Sequence, residues 1–210
     1  MRKSEISRKR TIQKQEEFFN KTMEDISSSK RKVSIARLRK GLYKKFFEEF
    51  SVLVKYTKLK YGISSDVKFK WVDIQGQTLN YDGEIYVDNK LTERVEVTCP
   101  LISKKDKDDA KELNEKGYTT PEVGNLVEAL NIVKTKIINN TVDKNQKKSY
   151  DNSITLVVYL NDYIHFWDTI DICNKALTEM KDVLKKETYQ FKNVYILESI
   201  NNKYCLEKIK

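Results

Sequence analysis

The seven residues Ile154 to Leu160, ITLVVYL, form the densest apolar run of the 210-residue chain. Short and rich in β-branched side chains, the run reads as a central strand buried on both faces. Such a strand must be covered on two sides, which points to helices packed on a sheet. Six Gly and two Pro exclude collagen-like, Gly-rich and Pro-rich architectures and leave few positions for phosphate loops of the Walker or dinucleotide type. A chain that is 39% hydrophobic and 10% aromatic carries enough large side chains to fold, and its length suits one domain with a core plus an appendage.

Other elements follow from periodicity. From Ile35 to Tyr61, Ile35, Leu38, Leu42, Phe46, Phe50, Leu53 and Tyr56 recur at helical spacing, and Gly62 is placed to close the helix. Projection at about 100° per residue puts Glu49 on the apolar stripe and Glu48 away from it. Three alternating stretches, Val67 to Trp71, Glu84 to Val87 and Arg94 to Thr98, predict an antiparallel meander, with Asn80-Tyr81-Asp82-Gly83 as a turn before the second. A charged, helix-compatible segment runs from Ser103 to Gly117. Thr120-Pro121-Glu122 opens an amphipathic helix carrying Val123, Leu126, Leu130, Val133 and Ile137, which ends in a polar loop from Asn139 to Ser153. A further helix spans Trp167 to Lys186 and a last strand Val194 to Ile200. The expected fold is α/β (α+β): a mixed central sheet flanked by helices, in the order α-β-β-β-α-β-α-β, with a basic helical N-terminal arm. Residues 1–33 are the arm, with Ser27-Ser28-Ser29 as its hinge, and 34–210 the single domain.

The net charge of +9 is unevenly spread: Met1 to Lys45 holds 15 Lys and Arg against 5 Asp and Glu, the remainder 25 against 26. Arg8-Lys9-Arg10, Lys30-Arg31-Lys32 and Arg37, Arg39 and Lys40 are therefore the expected nucleic-acid-binding residues, since clustered cations neutralise phosphates whatever the base sequence. DNA is favoured over RNA. Cys99, Cys173 and Cys205 are odd in number and widely spaced, suggesting neither a disulfide framework nor a zinc knuckle and fitting a reducing cytoplasm. The basic start is not followed by an apolar stretch, so no secretory signal is read, and no run approaches the roughly 18 residues needed to cross a bilayer. Frequent Lys, Asn and Ile suggest an AT-rich bacterial or phage genome.

Asp82 at the start of the second strand, Glu96 in the third and Glu49 on the preceding helix are the carboxylates placed to converge on a divalent cation. Their oxygen ligands suit Mg²⁺, with Mn²⁺ as a substitute. A cation so held polarises a phosphodiester and activates a water. Taken singly each residue also has a structural reading, because Asp-Gly is a common turn dipeptide and a strand Glu often faces solvent. The lone His165 reads as a packed residue, and Cys99 as a small buried hydrophobe.

In this order, helix with Glu49, strand, strand opened by Asp82, strand with Glu96-Val97-Thr98, helix, then the apolar strand 154–160, the chain resembles the PD-(D/E)xK, or restriction-endonuclease-like, nuclease superfamily over about Ser34 to Ile200. The resemblance implies a Mg²⁺-dependent nuclease with Asp82 and Glu96 as catalytic and metal-binding residues and Glu49 as a supporting ligand. Thr98 stands where the family has Lys and supplies no cation. A Lys from elsewhere has to replace it: Lys134 on the second helix first, then Lys136, Lys70 and Lys104. Alternatives are a nuclease-like subunit that binds nucleic acid without cutting, within a larger complex or as a homodimer, and a protein-protein adaptor with a basic arm.

Overall fold

The computed structural model describes residues 1–72, 80–100, 104–119, 125–146, 150, 152–160, 170–200 and 203–210. Seven strands, β1 (Arg10–Thr11), β2 (Val67–Trp71), β3 (Gly83–Val87), β4 (Lys90–Thr98), β5 (Ile154–Leu160), β6 (Asn193–Ile200) and β7 (Lys203–Lys208), lie side by side in chain order in one mixed sheet. Helices flank it, so the α/β expectation holds. No helix among the described residues is long and apolar enough to cross a membrane.

The backbone divides into two compact units, 1–94 with 102–121, and 95–101 with 122–210. In unit 1, helices α1 (Lys3–Ile6), α2 (Ile12–Ser27), α3 (Lys30–Arg37), α4 (Leu42–Lys45) and α5 (Ser51–Tyr61) precede the meander, and α6 (Lys104–Lys116) follows it. Its core is aromatic: Phe46 stacks on Phe19 and Phe50, and Phe50 meets Phe18 edge-on and Phe69 at 5.9 Å. β2 alternates buried and half-buried residues and pairs antiparallel with β3, as its sequence alternation predicts. Asp88 and Asn89, both at positive φ, make the two-residue link from β3 to β4.

Residues 1–33 belong to this packing. Ile6 and Ile12 are fully buried, β1 pairs with β2, and the Gln15 amide donates to the Phe69 carbonyl at 2.8 Å. The expectation of an arm rests on charge, yet the apolar residues between those charges are what unit 1 buries.

The continuous helix expected over Ile35–Tyr61 is interrupted. Arg39 and Gly41 take positive φ, ending α3 and starting α4. Phe46–Phe50 then forms one π-helical turn, in which the Ser51 amide reaches the Phe46 carbonyl. A wider turn invalidates a 100° projection, and Glu48 and Glu49 end up equally sheltered. Gly62 closes α5 at φ 70° as expected, its amide donating to Lys58.

In unit 2, α7 (Leu126–Gln146) and α8 (Ile170–Lys186) accompany β5–β7. β5 is parallel to β6, and β6 antiparallel to β7. Leu156, Val157 and Val158 are fully buried, as expected of a strand covered on both faces. The polar stretch from Asn139, whose composition predicts a loop, is helical as far as Gln146. Its polar groups have tertiary partners: Asn140 donates to the Pro100 carbonyl, and buried Asn145 donates to the Thr188 carbonyl at 2.7 Å and accepts from the Gln190 amide at 2.8 Å. The expected helix opening at Thr120-Pro121-Glu122 and His165 fall outside the described residues.

Candidate functional site

Glu96 lies on β4 and is buried, 4% exposed. Two side chains meet it within unit 2. The Lys144 ammonium from α7 contacts Oε1, and the Tyr150 hydroxyl donates to the same oxygen at 2.9 Å. Lys144 also lies over the Tyr150 ring, which packs on Phe191. Burial alone would lower the Lys144 pKa, but the adjacent Glu96 carboxylate outweighs it and carries the net shift well above the ordinary value. Tyr150 is pushed up to about 12, by burial first and by Glu96 second. Lys144 is therefore a fixed ammonium and Tyr150 a neutral donor at any physiological pH.

Lys144, near the end of α7, is thus a lysine that meets Glu96. Lys134, the expected candidate, lies ten residues earlier on α7 and pairs instead with Glu179 of α8 at 2.8 Å. Both lysines share a helix, and periodicity by itself does not say which end faces the strand. A loop over 139–153 hides Lys144 from sequence reasoning; continuing the helical pattern past Ile137 to Lys144, two turns on, would have found it.

Glu49, in unit 1, has two partners: the Trp71 indole donates to Oε2 at 2.7 Å and Lys45 to Oε1 at 2.6 Å. Glu49 thus caps the polar atom of a buried Trp. Asp82 is 5% exposed and immediately precedes β3, its carbonyl accepting from the Val72 amide. Gly83 beside it is held by packing: a Cβ there would lie 2.7 Å from Leu53 Cδ1.

Unit 1 contains a second polar cluster on the meander. Glu84 accepts from Tyr81 at 2.7 Å and from Tyr86 at 2.5 Å, and pairs with Lys70 at 2.7 Å. Burial pushes the Glu84 carboxyl up, and the three bonds together bring it below its ordinary value. Lys70, a fallback candidate for the missing lysine, is committed here.

The expected phosphate-binding cations divide by role. Arg10 is structural: its guanidinium donates to the Glu5 carbonyl at 2.7 Å and to Gln15 at 3.1 Å and lies over Phe18. Burial, with Arg8 close by, lowers its pKa. Lys9 covers the Tyr86 ring, Lys32 pairs with Asp25, and Arg39 reaches Glu48 at 3.7 Å. Arg37 meets Asn114 of α6. Arg8, Lys30, Arg31 and Lys40 are exposed.

Among the described residues, no group of three or more His, Cys, Asp and Glu side chains is placed to hold a metal ion. Comparison with protein-family models, with curated proteins and with solved structures finds no match.

Proposed function

We propose that this chain is a Mg²⁺-dependent nuclease of the PD-(D/E)xK type whose motif lysine has moved to Lys144. The observation that carries the reading is the contact of Lys144 with Glu96, the acidic position of the motif. The order of helix, three strands, two helices and strand from α5 to β5 also supports it.

Mg²⁺ keeps several waters and commonly takes only one or two protein carboxylates beside substrate phosphates. The Glu96 carboxylate matches that donor chemistry, and the motif gives Asp82 the same role, whereas Glu49 is engaged by Trp71 and Lys45. When bound, the cation polarises a phosphate oxygen and acidifies a water. The chain's own residues do the rest. Tyr150 orients the Glu96 carboxylate by hydrogen bonding, and Lys144, locked in its charged form, opposes negative charge developing on the phosphate. Lys144 is too basic to act as a general base. Exposed Arg8, Lys30, Arg31 and Lys40 attract the nucleic-acid backbone.

A second reading, binding without cleavage, draws on the fact that Glu96 and Glu49 already have cationic partners. One experiment separates the two. The purified chain is incubated with plasmid and with single-stranded oligonucleotides in Mg²⁺, Mn²⁺ or chelator, beside Glu96→Gln, Asp82→Asn and Lys144→Gln variants checked by circular dichroism. Metal-dependent cleavage falling about 100-fold or more in each folded variant supports the nuclease. Gel-shift binding without cleavage selects the second reading, and neither binding nor cleavage sinks both.

A further inference from the structure

Helix α3, with the sequence KRKVSIAR, buries a single residue, Ala36. At about 100° per residue, Lys30, Ser34 and Arg31 point away from Ala36, with Arg37 and Ile35 at the flanks of the same face. Lys30, Arg31, Ile35 and Arg37 are exposed, as that projection requires. Lys32 falls on the Ala36 side and is paired with Asp25 of α2 at 2.6 Å. The helix is held by both neighbours without losing its outward charge. Asn114 of α6 donates to the Ser34 carbonyl at 3.0 Å and accepts from the Arg37 guanidinium at 3.4 Å, and an amide neutralises no cation. No acidic residue occurs in α3.

The outward face therefore joins three cations to a hydroxyl and an aliphatic side chain, Ile35, which is 36% exposed. Each part has a counterpart on a nucleic-acid duplex. Cations answer phosphates on the groove rims, a serine hydroxyl bonds to phosphate or base edge, and an aliphatic group packs on the thymine methyl. Size agrees as well. Eight residues rising about 1.5 Å each make a rod about 12 Å long, close to the width of the major groove of B-form DNA. Duplex RNA offers no such entry, because its major groove is deep and narrow. An acidic protein would satisfy the cations alone and set Ile35 against charge.

We propose that α3 enters the major groove of duplex DNA, with Lys30, Arg31 and Arg37 on phosphates and Ile35 against the base edges. This rests on reading the exposed cations as nucleic-acid contacts. It does not rest on cleavage, since α3 contributes no residue to the Glu96 site.

The test uses the full chain in chelator, so that binding is measured without cleavage. Fluorescence anisotropy is expected to show tighter binding to duplex DNA than to duplex RNA of the same sequence. Lys30→Ala/Arg31→Ala removes two cations, and Ile35→Asp removes none but sets a carboxylate on the outward face. Each is expected to raise the dissociation constant for duplex DNA about tenfold or more while circular dichroism stays unchanged. Dimethyl sulfate methylates guanine N7 in the major groove and adenine N3 in the minor groove, so bound chain is expected to protect guanine and leave adenine reactive. Affinity for duplex DNA indifferent to both variants, protection at adenine alone, equal affinity for the two duplexes, or polyglutamate competing as well as unlabelled DNA would each overturn the proposal. Groove binding that passes these tests in a chain that never cleaves upholds α3 and removes only the nuclease.

Discussion

Glu96 and Glu84 show two ways of keeping a sheltered carboxylate charged. At Glu96 one ammonium and one phenol share an oxygen, so removing Lys144 strands a buried charge. Lys144→Met is expected to cost about 3–5 kcal/mol by urea denaturation, and the Lys144→Met/Glu96→Gln pair distinctly less than the sum of the two singles. At Glu84, three hydrogen bonds lower the carboxyl pKa, and Lys70 is raised, chiefly by its bond to Glu84. The carboxylate's contribution is full above its unfolded value of about 4.3 and fades as pH falls through the lowered folded value. The lysine's contribution is full below about 10.4 and fades as pH rises through its raised value. Glu84→Gln is accordingly expected to flatten the acid limb of a urea-midpoint profile between pH 7 and pH 3. Glu49 belongs with these structural carboxylates. Its partner Trp71, 22 residues away, was not legible in the sequence. Glu49→Ala is expected to cost about 1–3 kcal/mol by leaving the indole without an acceptor, whereas Glu49→Gln retains most of that.

Among the elements, two glycines are held by different physics. Gly62 combines φ 70° with ψ −171°, a region nearly closed to other residues, and open space surrounds its Cβ direction. Gly62→Ala is expected to lose about 1–3 kcal/mol from backbone strain alone. At Gly83 the backbone is permissive and the obstacle is Leu53, so Gly83→Ala costs about 1–3 kcal/mol by overpacking, and Gly83→Ala with Leu53→Val recovers part of it. Denaturant midpoints of the single and double variants check both. Strands 67–71, 83–87 and 154–160 were readable because each alternates or saturates with apolar residues. The end of α7 was not, because Asn140, Thr141 and Asn145 look like loop residues until their partners are known. The π turn is hidden for a similar reason: periodicity assumes about 3.6 residues per turn, and the stacking of Phe46 and Phe50 accompanies a wider one.

Over the whole molecule, charge and packing overlap in the first 33 residues. Deleting them removes Ile6, Ile12 and β1 together with the cations, so loss of nucleic-acid binding in that deletion would report unfolding as much as charge. Lys30→Glu/Arg31→Glu/Lys40→Glu changes exposed residues only. It is expected to leave the melting curve in place while lowering affinity for duplex DNA. Plotted as log affinity against log salt, the slope falls by about 0.9 for each phosphate that the variant no longer neutralises. Fluorescence anisotropy titrations from low to physiological salt measure it, and an unchanged slope would remove these residues from the interface.

The order and type of most elements, the doubly covered strand at 154–160 and the excess of positive charge near the start were determined by local pattern alone, because alternation, helical spacing and composition act over a few residues. Which lysine answers Glu96, what holds Glu49, and that the basic first segment contributes to a core were decided only by tertiary structure. Those contacts join residues tens of positions apart, where the chain's own periodicity carries no information about distance.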